Sequence, residues 1–224
     1  MMKYAKPSRT QTGFTLVEMS IVLAIVALLM GGLLPTLSSQ MEQRRRSDTQ
    51  NALNEIKNAL IGYAIVNGRL PCPAKATIAT GSTNAGVADC TVTTGVIPWA
   101  TLGTSETDAW GRRFTYTASS SFTTTTPPFT LASNGTLTVK SAAGGSTIAS
   151  TIPAVFVSHG TNGLGAYTPQ GTQLSVSSDP DEADNSNGGT TFVSHDFTPT
   201  FDDQVIWISP NILFNRMVAA GKLP

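Results

Sequence analysis

Gly13-Phe14-Thr15-Leu16-Val17-Glu18-Met19-Ser20 opens the apolar part of this 224-residue chain, and Ile21-Val22-Leu23-Ala24-Ile25-Val26-Ala27-Leu28-Leu29-Met30 continues it. Glu18 carries the only charge between Gly13 and Glu42. The run from Met19 to Leu37 reaches bilayer length, because a spanning helix takes about 20 residues. A carboxylate at bilayer depth costs about 2.5–3.5 kcal/mol on insertion scales, so Glu18 requires a partner.

The segment before Gly13 is polar and basic, with Lys3, Lys6 and Arg9. A conventional signal peptide has an apolar core of about 7–15 residues and then a small-residue cleavage site. Here the core is longer, contains Glu18, and runs out through Leu34-Pro35-Thr36-Leu37-Ser38-Ser39 with no Ala-x-Ala site. The apolar segment is therefore expected to be retained. A cut after Gly13 would place an ammonium on Phe14, four residues from Glu18 and on the same helical face. The two charges can neutralise each other within one subunit or between neighbours. The plainer reading is a signal anchor whose glutamate reaches the membrane interface. Charge alone does not orient the segment, since Arg44-Arg45-Arg46 balance the basic start.

Gly-Phe-Thr-Leu-Val-Glu resembles the processing site of type IV prepilins and type II secretion pseudopilins. Gly13, Phe14 and Glu18 match that pattern residue by residue, and Pro35 is similar to the late proline of the family's apolar helix. The resemblance implies cleavage after Gly13 by a prepilin peptidase and N-methylation of Phe14. It also implies an assembly role in which Glu18 of one subunit meets the amine of its neighbour's Phe14. Removing one partner of a buried ion pair costs about 3–5 kcal/mol. The implied partners are the prepilin peptidase, an assembly platform protein, other pilin or pseudopilin subunits, and the bacterial inner membrane. The expected organisation is a leader over 1–13, a transmembrane or filament-core helix over 14–37, its amphipathic continuation over 38–67, and a β-rich domain over 68–224.

Beyond Ser38 the chain turns polar without a helix breaker. Leu53, Ile56, Leu60 and Tyr63 recur at helical spacing, and Asn67-Gly68 followed by Pro71 signals a stop. Gly31-Gly32 and Pro35 are points where this long helix is open to a kink. Strands are expected over 112–118 (Phe114, Tyr116 and Ala118 inward), 154–158 and 204–208. A hairpin is expected about Asn134-Gly135, joining 129–133 to 136–141. Residues 119–126 read as a loop or strand edge. Ser209-Pro210 reads as a helix start, with Ile212, Leu213, Met217 and Ala220 on the helix. The fold class is α+β: a long N-terminal helix packed on an antiparallel sheet, as in a pilin-like roll. Asp108-Ala109-Trp110-Gly111, Gly160-Thr161-Asn162-Gly163-Leu164-Gly165 and Asp202-Asp203 resemble elements of the same family.

Cys72 and Cys90 are the only cysteines. An even count behind an export segment favours a disulfide, which would place the C-terminal domain in the periplasm, or outside the cell in an assembled pilus. Without the leader cations, 14 − 3 = 11 basic residues face 14 acidic ones. That balance disfavours nucleic acid, whose binding rests on Lys and Arg.

Asp179, Asp181, Glu182 and Asp184 crowd a Gly/Asn/Ser-rich loop, with Asp202 and Asp203 downstream. Hard oxygens in such a loop suit Ca²⁺. The family's C-terminal calcium site makes Asp179, Asp181, Asp184, Asp202 and Asp203 the candidate ligands; a solvated acidic loop is the alternative. Ser158-His159 is not set in a nucleophile elbow, and Gly160–Gly165 lacks the dinucleotide spacing. No catalytic residues are assigned and no other cofactor is expected. The chain reads as a non-enzymatic subunit, major or minor, of a type II secretion pseudopilus or a type IV pilus. The alternative is a membrane-anchored minor pilin acting as an adhesin or DNA-uptake module.

Overall fold

The computed structural model describes residues 13–224, with the backbone alone over 30–37. The leader cations lie outside the described residues, as do the side chains of Pro35 and Leu37. The chain divides into two compact units, 1–44 and 45–224.

Helix α1, Leu16–Asn67, runs through both units. In the first unit the side chains described over 16–29 are exposed on every face: Leu16 is 91% exposed, Ile21 55% and Leu28 78%. A helix apolar all round needs a lipid or protein environment. Among the described residues no helix is long and apolar enough to cross a membrane. Side chains are described through Leu29 and again from Ser38, whereas the apolar run of the sequence continues to Leu37.

In the second unit α1 is amphipathic. Leu53, Ile56, Leu60 and Ala64 are fully buried. Ala64, rather than the half-buried Tyr63, extends the stripe. Gly68, at φ 70°, ends the helix and donates to the Ala64 carbonyl.

The remaining elements are β1 Thr94–Val96, α2 Trp99–Leu102, β2 Thr115–Ala118, α3 Ser120–Thr123, β3 Leu137–Lys140, β4 Thr147–Ile152, β5 Ala154–Ser158, α4 Pro180–Ser186, β6 Thr191–Val193, β7 Gln204–Ile208 and α5 Pro210–Ala219. One antiparallel sheet has the order β1-β2-β5-β7. A second has the order β4-β3-β6, with β3 and β6 parallel.

These elements make three layers. Tyr116, Ala118, Ala154, Phe156 and Ile208 of the first sheet pack against the α1 stripe and against Leu213 and Met217 of α5. Its other face, through Val155 and Val157, packs on Leu137, Val139, Ile152 and Phe192 of the second sheet. With both faces covered, β5 is buried at every residue, and the alternation expected of a half-exposed strand is absent. Each fully buried aliphatic or Phe side chain contributes about 1.5–3 kcal/mol, so this double core dominates the domain's stability.

The α+β class, the sheet and the boundaries of β5 and β7 agree with the sequence. The Asn134-Gly135 hairpin does not form. Such a turn needs positive φ at both residues, and neither has it. Gly135 instead donates to the Thr151 carbonyl, where a side chain would strike the Ile152 backbone. Phe129 is drawn out of strand geometry into an aromatic cluster, 5.0 Å from Phe122 and 6.3 Å from Phe214. Residues 120–123, expected in a loop or strand edge, form the short helix α3, which delivers Phe122 to that cluster.

Candidate functional sites: the N-terminal segment and a buried carboxylate cluster

Thr15 precedes α1, and its carbonyl accepts from the Met19 N–H. Its hydroxyl accepts from the Glu18 N–H at 3.2 Å, while Glu18 Oε2 accepts from the Thr15 N–H at 2.8 Å and from the Thr15 hydroxyl at 2.9 Å. This reciprocal arrangement is a capping box and satisfies otherwise orphaned helix N–H groups. The Thr15-x-x-Glu18 spacing is the sequence signature of that box. Phe14 lies before the helix, so the four-residue helical spacing does not bring it to Glu18 in the uncleaved chain. No hydrogen bond to Glu18 Oε1 is seen among the described residues. Gly13 is exposed, and a side chain built there would meet nothing within 4 Å.

Asp108 organises the turn that leads into β2. Its Oδ1 accepts from the N–H groups of Trp110 and Arg112, and its Oδ2 from the Ser158 hydroxyl on β5. The Ala109 N–H donates to the hydroxyl of the buried Thr49 on α1. Gly111, at φ 78°, completes the turn. Asp108-Ala109-Trp110-Gly111 thus joins helix to sheet. Ser158 is buried and committed to Asp108, while His159 bonds Thr115, so the two do not form a nucleophile pair.

The acidic loop resolves into separate jobs. Asp179 caps α4 by accepting from the Asp181 N–H. That bond and the Thr200 hydroxyl, which is the larger influence, hold its carboxyl below the ordinary aspartate value. Asp181 pairs with His195 at 3.1 Å and accepts from the Ala143 N–H. Asp184 takes the Asn187 side chain. Asp202 and Asp203 instead meet Glu182, and oxygens of these three lie within 4.8 Å of one another. Glu182 and Asp203 are almost completely buried.

Asn162 fastens the cluster by donating its N–H to Asp202 Oδ2 and its side-chain amide to Glu182 Oε1. Gly160, at φ 53°, passes so close to Asp202 that a side chain would collide with it. Arg112 holds this loop through the carbonyls of Gly160 and Thr161. Glu182 Oε2, Asp202 Oδ1 and Asp203 Oδ1 are buried without hydrogen-bond donors. Three crowded carboxylates cannot all stay charged without a cation or protons. Burial, reinforced by Glu182 and Asp203, pushes the Asp202 carboxyl up to about 6. An all-oxygen set with orphaned, inward-facing atoms fits a hard cation such as Ca²⁺. Glu182, Asp202 and Asp203 would hold it.

The disulfide Cys72–Cys90 is formed, with Cα atoms 5.0 Å apart. Trp99, Trp110 and Trp207 are all partly buried. Trp99 lies under the Arg113 guanidinium, and Trp207 is on β7.

Residues 8–34 match the prokaryotic N-terminal methylation motif, the signature of type IV pilins and pseudopilins. No curated protein and no solved structure matches the chain.

Proposed function

We propose that the chain is a filament subunit of a bacterial type II secretion pseudopilus or type IV pilus, stored in the inner membrane by residues 14–37. The observation that carries this reading is the methylation motif over 8–34, set on a helix whose described apolar side chains over 16–29 are exposed on all faces. In storage those faces meet lipid; in the filament they meet the same helices of neighbouring subunits. Prepilin peptidase cuts after the open, non-helical Gly13 and methylates Phe14. Glu18 keeps Oε2 on its own capping box and offers Oε1 to the amine of a neighbour's Phe14. The β-rich domain is carried into the periplasm, where its disulfide persists. Glu182, Asp202 and Asp203 would hold Ca²⁺, which would supply the charge that balances the buried carboxylates, while Asn162 ties the 160–162 loop to Glu182 of α4. The test of processing is to express the chain with and without a prepilin peptidase. Shortening by the 13-residue leader only in its presence supports the reading; equal length in both sinks it.

A further inference from the structure

A groove of about 580 Å³ lies on the second unit between α1 and α5. Ile61, Ile65 and Ile212 form its apolar floor, and Lys57 and Arg216 stand at its edges. Among the described residues neither cation has an ion pair. Gly62 sits mid-helix in this floor, where a side chain would meet nothing within 4 Å. Glycine inside a helix is disfavoured relative to any ordinary residue, and here neither a turn nor packing within the chain requires it. Its effect is to leave room for something that approaches the helix closely from outside.

The same chain carries an exposed acidic corner. Of the seven acidic residues over 179–203, Glu182 and Asp203 are buried and Asp179, Asp181, Asp184 and Asp202 are partly buried and engaged within the chain, which leaves Asp196 as the exposed one. At the edge of this region Asp196 is exposed beside Phe197, an aromatic ring 46% exposed. Arg46 of α1 lies over that ring at 4.2 Å, which fixes Phe197 near the Arg46 end of the helix. The groove centres on Ile61, about 15 residues and so about 22 Å further along α1.

We infer that the groove receives the Asp196-Phe197 corner of a second copy of this chain, with the ring face that Arg46 leaves open set over Gly62 and the carboxylate between Lys57 and Arg216. The two surfaces differ and are displaced along one axis, so the contact is head-to-tail. Such contacts propagate into open filaments rather than closed dimers. The inference rests on the filament-subunit reading and supplies a domain-to-domain contact for it.

The test is disulfide trapping in membranes and sheared filaments of cells producing the full chain. Asn58→Cys and Asp196→Cys are introduced singly and together, and cross-linked species are identified by mass. The double variant is expected to give a ladder of chain multimers, and each single variant monomers only. Adding Gly62→Leu to the double variant fills the groove without an internal clash, so the ladder is lost while the melting temperature is retained. Dimers from Asn58→Cys alone, a ladder that survives Gly62→Leu, or adducts with a different protein would each overturn the inference. The N-terminal mass is read on the same samples. A processed Phe14 with no ladder sinks only the docking contact; an intact Met1 sinks the filament reading and the contact with it.

Discussion

Ser158 on β5 donates a 2.7 Å hydrogen bond to Asp108 Oδ2, and both groups are buried. Asp108 is thereby bonded to the sheet through its side chain, while the adjacent Ala109 N–H reaches Thr49 on α1. Asp108→Ala leaves the Ser158 hydroxyl and two turn N–H groups without their acceptor. The expected loss is about 3 kcal/mol of folding stability, read as a lower urea midpoint of the full chain in detergent. A change within about 0.5 kcal/mol, the range of ordinary surface substitutions, would contradict this role.

The Cys72–Cys90 bridge spans 18 positions of sequence. Replacing both cysteines with serine is expected to cost about 3 kcal/mol, the loop-closure value for that span. Reduction of the native chain should lower its stability by a similar amount, seen as a lower melting temperature. A variant that melts with the oxidised protein would show that the bridge contributes nothing.

Glu18 caps α1, and the proposed assembly contact would use its charge as well. Glutamine serves at the same position of a capping box, whereas alanine does not. Glu18→Gln is therefore expected to keep the helix start and still fail to assemble, and Glu18→Ala to lose both. Filament yield after shearing is the readout. Normal assembly by Glu18→Gln would mean that the cap, not the charge, matters.

The carboxylate cluster gives a pH dependence of definite sign. Asp202 is raised from 3.8 to about 6 in the fold, so between about pH 4 and 6 the native state binds more protons than the unfolded chain. Its contribution to stability is complete below about pH 4 and is lost as pH rises through about 6. The groups facing it are Glu182 of α4 and Asp203, with His159 beyond at 3.6 Å from Asp203. With EDTA, Asp202→Asn should be more stable than the native chain at pH 7.5, with the difference shrinking as the pH is lowered. Added Ca²⁺ should raise the native melting temperature at pH 7.5 and leave Asp202→Asn unmoved. Equal melting with Ca²⁺ and EDTA would remove the site.

Elements set by local chemistry were legible in the sequence. Gly68 stops α1, Ser209-Pro210 starts α5, and the apolar runs of β5 and β7 fall where they were expected. Whatever depends on tertiary contact was not. Asn134-Gly135 has the composition of a hairpin turn, but the Phe122 and Phe214 rings claim Phe129 and the backbone of β4 claims Gly135. The second sheet is built from a parallel pairing between segments some 50 residues apart, which no short-range pattern announces. In the acidic loop the sequence showed which residues were near in number, not which faced inward. Helix α4 turns Glu182 toward Asp202 and Asp203, while Asp179, Asp181 and Asp184 go to a cap, a histidine and an asparagine. The Thr15–Glu18 capping box was visible as a spacing and was obscured by the rarity of a carboxylate in an apolar run.

The filament reading depends on cleavage after Gly13. Mass spectrometry of the N-terminal peptide, from the chain purified out of cells that contain prepilin peptidase, tests it most directly. The expected product begins at Phe14 and carries one added methyl group. An intact Met1, or a terminus downstream of Leu37, would contradict it.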